Sequence, residues 1–270
     1  MDSSGVITTT HTSNNGIDLS VMDYHPWPTC LTVAVAKLLD DAHIANTMWG
    51  DLLYWWCGNP HVPQICGFIV PSDQLETAVS VVEKAGLPSC NCESNFHFAD
   101  WNKPIWLPKH FRVPQPYNMF MTLFLCPSDR LLDLVPLDSS HPNPAGLQYD
   151  KYALPLYDHY LPTIPLVPGA EVPADYYAIK VLTPTSLIEV LLLLAAFSSL
   201  FDGVGRHFTD LLARFAFASI DKPYVLQSPA LQQVWDSYYV RMERFPAHEV
   251  KKKMLWDNVR VEWMTKLSLK

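Results

Sequence analysis

The chain has 270 residues, of which 49% are hydrophobic, 12% aromatic and 17% charged, and its formal net charge is −8. That balance excludes a disordered chain and is enough for a sizeable core. The acidic sign excludes non-specific nucleic-acid binding, which needs a basic footprint.

Residues 1–27 form a polar N-terminal arm with no basic stretch followed by an apolar run, so they do not read as a secretory leader. A cytoplasmic chain with reduced thiols is expected, because the six cysteines include no CxxC pair. Cys90, Cys92 and His97 match no standard zinc spacing. The longest apolar run, Val190 to Phe197, is far short of the roughly 20 residues that span a bilayer, so it reads as a buried core helix.

Thr29 opens a helix whose Leu31, Val35, Leu38 and Leu39 recur at helical spacing and which ends near Ala42. "HIANTMW" follows as a short strand, Gly50 as a turn, and Asp51 as the cap of the helix "LLYWWCG". "QICGFIV" is a second strand closed by Pro71. "SDQLETAVSVVEKAG" is a helix with acidic residues in its first turn and Lys84 in its last. Residues 87–117 give short extended pieces such as "KHFRV". "YNMFMTLFL" and "LLDLV" are expected as antiparallel strands joined at "CPSDR".

A long proline- and tyrosine-rich loop over 137–175 reads as a lid or wrap. The strand "YYAIKVL" then leads into a helix capped by Thr183, with Pro184 at its first position. Helices are expected over 206–219, 228–243 and 247–265, the last with a basic cluster at Lys251, Lys252 and Lys253 that reads as a solvated face. The predicted organisation is an α/β (α+β) domain over 28–182 and a helical C-terminal region over 183–270 packing on it, with no internal repeat.

The stretches "AKLLDDAHI", "NTMWGDLL", "ICGFIVP" and "DQLETAVSVVEKAGL", in that order, resemble the nucleotidyltransferase fold and are similar to fungal nucleotidyltransferase-like proteins. "FLCPSDRLLDLVP" resembles the family's next hairpin, and "IKVLTPTSLIEVLLLLAAFSS" with "RHFTDLLARFAF" its helical tail, so the likeness covers 28–220. The resemblance implies a mixed sheet flanked by helices. In active members a glycine turn holds nucleotide phosphates, and two aspartates on the next strand hold Mg²⁺, often with a third on a neighbouring strand. Here Gly50 keeps its place, but Asp51 stands where a small residue is usual. Ile65 or Cys66 with Gly67 stands where the aspartates belong, and Asp133 is the candidate for the third position. One carboxylate cannot assemble a site that needs several hard oxygen ligands, so no metal and no cofactor are expected.

Stripped of charge, the groove between sheet and helical tail suits a hydrophobic small molecule. The expected substrate-binding residues are Trp49, Asp51, Trp55, Phe68, Met119 and Met121. Tyr54, His97, His110 and Tyr157 are the candidate catalytic hydrogen-bond donors. His97 shares one side of "FHFADW" with Asp100, and His159 and His207 are further histidines of the same kind. The stripe Tyr54, Trp55, Trp56 fits core packing as well as a binding wall.

Three functions are compatible with these residues. The first is a cofactor-independent isomerase or cyclase, such as a pericyclase of secondary metabolism, acting on a lipophilic intermediate by orientation. The second is a catalytically dead binding or scaffold protein whose C-terminal helix, with Val250, Met254, Leu255 and Trp256, docks a partner. The third is a residual nucleotidyltransferase.

Overall fold

The computed structural model describes residues 29–57, 65–90, 109–114, 120–135, 137, 149–153, 178–197, 204–219, 224–239 and 247–267. They form a mixed α+β structure. The elements in order are α1 (Thr29–Asp41), β1 (Thr47–Trp49), α2 (Asp51–Trp56), β2 (Ile65–Val70) and α3 (Leu75–Lys84). They continue with β3 (Lys109–Pro114), β4 (Phe120–Pro127), β5 (Tyr149–Ala153), β6 (Ala178–Leu182), α4 (Pro184–Phe197), α5 (Val204–Ala218), α6 (Pro229–Asp236) and α7 (Ala247–Leu267). Among the described residues no helix is long and apolar enough to cross a membrane.

Four strands make one sheet in the order β1-β2-β4-β3. β1 runs antiparallel to β2, β2 parallel to β4, and β3 antiparallel to β4. The antiparallel partner of β4 is therefore β3 and not "LLDLV". The chain leaves β4 through Pro127, takes a 3-10 turn over Ser128–Leu131, and passes through left-handed conformations at Leu132 and Asp133. A strand needs extended backbone, so residues 131–135 cannot continue the ladder. β2 ends alike, with Pro71 followed by a 3-10 turn over Ser72–Gln74. The shared Pro-Ser-Asp stop is a local echo. Asp129 N–H donates to Ser72 Oγ at 3.2 Å, which ties the two turns together.

The expected loop over 137–175 also contains structure: β5 pairs antiparallel with β6, Tyr149 opposite Leu182 and Ala153 opposite Ala178. Lys180 of β6 meets Asp40 of α1 at 3.4 Å, and Asn46 Nδ2 donates to the same carboxylate at 2.7 Å.

Residues facing one another across a ladder point to the same side, and the side alternates along each strand. The row Met48, Phe68, Leu125, Lys109 therefore shares one face. α1 and α3 cover that face: Cys66, two residues from Phe68, bonds Thr32 of α1 through its side chain, and Lys109 meets Glu76 of α3 at 3.1 Å. The row Trp49, Gly67, Phe124, His110 has the opposite face.

Beyond Leu182 every described element is a helix. Thr183 Oγ1 accepts from Ser186 N–H at 3.1 Å, so the predicted cap is present and Pro184 opens α4. α4 is buried on all sides from Ser186 to Phe197, as a helix apolar all round must be. It packs against α5, α6 and α7. Two polar contacts fix those neighbours. Arg260 of α7 donates from Nε to the Ala196 carbonyl at the end of α4, at 2.6 Å, where a cation also complements the helix dipole. The buried Glu189 of α4 accepts from Gln227 N–H at 2.6 Å and Ser228 N–H at 3.2 Å, and so holds the chain entering α6.

Burial raises the Glu189 carboxyl above its ordinary value of 4.5, although the two amides pull it back. The neutral form is thus favoured in the fold. Its contribution is complete below the unfolded pKa and is lost as pH rises through the raised one. Glu189→Gln keeps an acceptor oxygen and removes the ionisation. Denaturant titration is expected to show the wild type losing stability relative to this variant as pH rises above the ordinary carboxyl value of 4.5. Glu189→Ala leaves two amides unbonded and is expected to cost about 2–4 kcal/mol.

Candidate functional site

The resemblance places its metal carboxylates on β2, and the residues there explain their own identity. A Cβ built on Gly67 would lie 2.5 Å from both Cδ1 and the carbonyl oxygen of Phe124, and 2.6 Å from Cε1. Real Cβ contacts are never that short. The Phe124 ring lies where a side chain at 67 would be, so only glycine fits. The flanking positions are apolar too: Cys66 faces Leu123, and Phe68 faces Leu125. Asp133, expected at the third carboxylate position, is not on a strand beside β2. It is exposed beyond the 3-10 turn and accepts from Ser128 Oγ at 2.8 Å. Among the described residues no three His, Cys, Asp or Glu side chains gather as a metal-holding group.

The Gly67 face is walled by aromatic rings. Gly50 takes φ 100°, which a side chain would resist, and this turn starts α2 directly after β1. Tyr54 is thereby brought over the strand that precedes it. Its ring meets Trp49 edge-on with centroids 5.8 Å apart, and also meets Phe215 of α5 edge-on at 6.3 Å. Trp49 is 0%, Phe124 1%, Tyr54 3% and Phe215 1% exposed. T-shaped contacts of this kind add about 0.5–1.5 kcal/mol each beyond the area they bury. The edge contacts link the sheet to the helical region.

Two polar atoms inside this wall have no partner. The Tyr54 hydroxyl and the Trp49 indole Nε1 are buried without a hydrogen bond. Burial raises the Tyr54 hydroxyl well above 10, with Asp51 and then Cys126 adding to the shift. It is therefore a neutral donor at every ordinary pH and cannot serve as a base. Burial likewise pushes the Cys57 and Cys66 thiols up to about 12, and that of Cys126 to about 12. Thiols held neutral are poor nucleophiles.

The other expected site residues divide. Phe68 is fully buried on the α1–α3 face, so it cannot share a groove with Trp49. The period of two separates neighbours that the sequence brings close. His110 is on the Trp49 face but in β3, three strands away at the edge of the sheet and half-buried. Asp51 is half-buried at the start of α2. Trp55 lies on α2 and Met121 on β4 opposite Val113, and their side chains fall outside the described residues. His97, Tyr157 and Met119 lie outside them altogether, as do Cys92, Asp100 and His159. Phe124 and Phe215 were missed. Phe124 could have been found from the register of the strand opposite "ICGF", whereas nothing local marks Phe215.

Gly67→Ala is expected to cost about 2–3 kcal/mol in denaturant unfolding. In a Phe124→Ala background the same change costs less but still something, because the Phe124 carbonyl oxygen stays 2.5 Å from the added carbon. Equal costs in the two backgrounds would show that the ring is not the obstacle. Tyr54→Phe removes a buried hydroxyl that bonds nothing, so its thermal unfolding should match the wild type or gain about 1 kcal/mol. No family model, curated protein or solved structure matches the chain.

Proposed function

We propose that this chain is a nucleotidyltransferase-like protein that no longer transfers nucleotides and works by binding. The observation that carries the reading is the filled face: Phe124 covers Gly67, and Trp49, Tyr54 and Phe215 close over the same side of the sheet. A nucleotide needs open space, phosphate donors and hard oxygen ligands there. Asp51, beside the Gly50 turn, would repel phosphate. α7 supports a scaffold role. Its Val259 and Trp263 are buried, while Met254, Val261 and Met264 form an exposed stripe on the other side of the helix. That stripe is what a macromolecular partner would cover.

A second reading, a cofactor-independent isomerase or cyclase, is favoured by one observation, the unpartnered Tyr54 hydroxyl. A neutral tyrosine in an apolar wall could polarise a carbonyl as charge develops on it. Of the candidate catalytic donors that fall among the described residues, Tyr54 stands in the wall and His110 lies at the far edge of the sheet.

Magnesium or manganese with ATP or UTP at millimolar concentration is expected to leave the melting temperature unchanged, and labelled nucleotide is expected not to be transferred to protein, nucleic acid or pyrophosphate. A shift of several degrees, or any metal-dependent transfer, overturns the binding reading. Conversion of a lipophilic compound from an extract of the source, lost in Tyr54→Phe, would instead select the isomerase.

A further inference from the structure

We propose that Met254 and Met264 form a reversible oxidation site on the outer face of α7, where a hydroperoxide turns an apolar surface polar while the fold stays intact. The proposal rests on the reading that this face meets a partner, and adds how that meeting is controlled.

α7 is held from one side. Val259 is 0% and Trp263 4% exposed, and the helix packs on α4 and α6. Arg260 reaches the Ala196 carbonyl, and Lys266 bonds Glu262 at 2.7 Å with its ammonium 4.4 Å from the centre of the Trp263 ring. Met254, Val261 and Met264 lie opposite, 61%, 71% and 61% exposed. Their spacing along the helix puts all three on one stripe. Met48, in β1, is by contrast fully buried.

Reach decides which sulfurs react. A thioether must meet the peroxide oxygen directly and then hold an extra oxygen atom, so a closed core protects Met48. The thiols of Cys57, Cys66 and Cys126 are buried and stay neutral, which makes them poor nucleophiles. Among the described sulfurs this leaves Met254, Met264 and the half-buried Cys90. In the step, the methionine sulfur attacks one oxygen of hydrogen peroxide with its lone pair. The O–O bond breaks and an S–O bond forms. The other oxygen leaves as hydroxide and takes the remaining proton, giving water. The thioether is oxidised by two electrons and the peroxide is reduced by the same two. The sulfoxide is polar, and methionine sulfoxide reductases return it to the thioether. Neither sulfur belongs to the core, so the change falls on the outer face and not on the packing of Val259 and Trp263.

Dilute hydrogen peroxide on the full chain, followed by peptide mass mapping, tests the site. Met254 and Met264 are expected to gain one oxygen at least about 10-fold faster than Met48. On a phenyl matrix the native wild type should elute earlier once oxidised, and the two epimer-specific sulfoxide reductases together should restore its retention. The double variant Met254→Leu, Met264→Leu keeps an apolar stripe without sulfur, so peroxide should leave its retention unchanged. Oxidation should move the wild-type melting temperature by no more than about 2 °C, as for a surface substitution. Equal rates at Met48 and the two exposed methionines overturn the proposal. So does an equal retention change in the double variant, or a melting temperature that peroxide lowers in the wild type but not in that variant. Those results leave the loss of nucleotidyl transfer standing, which only a response to metal and nucleotide would remove.

Discussion

The constraint on which the sheet depends is the approach of β4 to β2 at Gly67. A ring and a carbonyl oxygen occupy the space that any side chain there would need. Much follows from this single contact. It lets the Phe124 ring take the space beside Gly67 on the central strand, in one row with Trp49. It also means that a carboxylate could not be introduced at this position by one substitution. The absence of an aspartate at 67 is a packing requirement of this sheet.

The second constraint is the tight passage from β1 through Gly50 into α2. It places Tyr54 in contact with both a sheet residue, Trp49, and a helix of the C-terminal region, through Phe215. In a fold used for phosphate, such a turn would present backbone donors to a ligand. Here it presents an aromatic ring with a hydroxyl that nothing bonds. The helical region is held by different means: α4 supplies continuous apolar surface, and its two polar attachments, Glu189 and Arg260, satisfy backbone groups at helix ends. Both sets of contacts converge on α5 and α4, so sheet and helices share one core.

Much of the element order was legible. Helix periods, the Pro184 start and the glycine turn all rest on interactions within a few residues, and these survive in any tertiary context. Two expectations fail for an equally local reason: the proline-led turn at 127–129 resembles a hairpin connection but enters a 3-10 turn, and the proline-rich segment 137–175 resembles a loop but contains β5. β5 pairs with a strand about thirty residues away, and no local pattern shows the partner. The site fared less well. Tyr54 and Trp49 were expected together and are together. Phe68 was expected beside them and lies on the other face, because the groove was assigned by proximity in sequence and not by strand parity.

By itself the sequence determined where the main helices lie, that the chain is acidic, and that "ICGFIV" carries no carboxylate. These depend on residue type and short-range spacing. The tertiary structure alone decided what packs there. Which ring covers Gly67, which helix closes over Tyr54 and which donors remain unbonded depend on strand register and on contacts as distant as Tyr54 with Phe215. Such pairings are set by how faces fit across the core, and that information is not carried by any one segment.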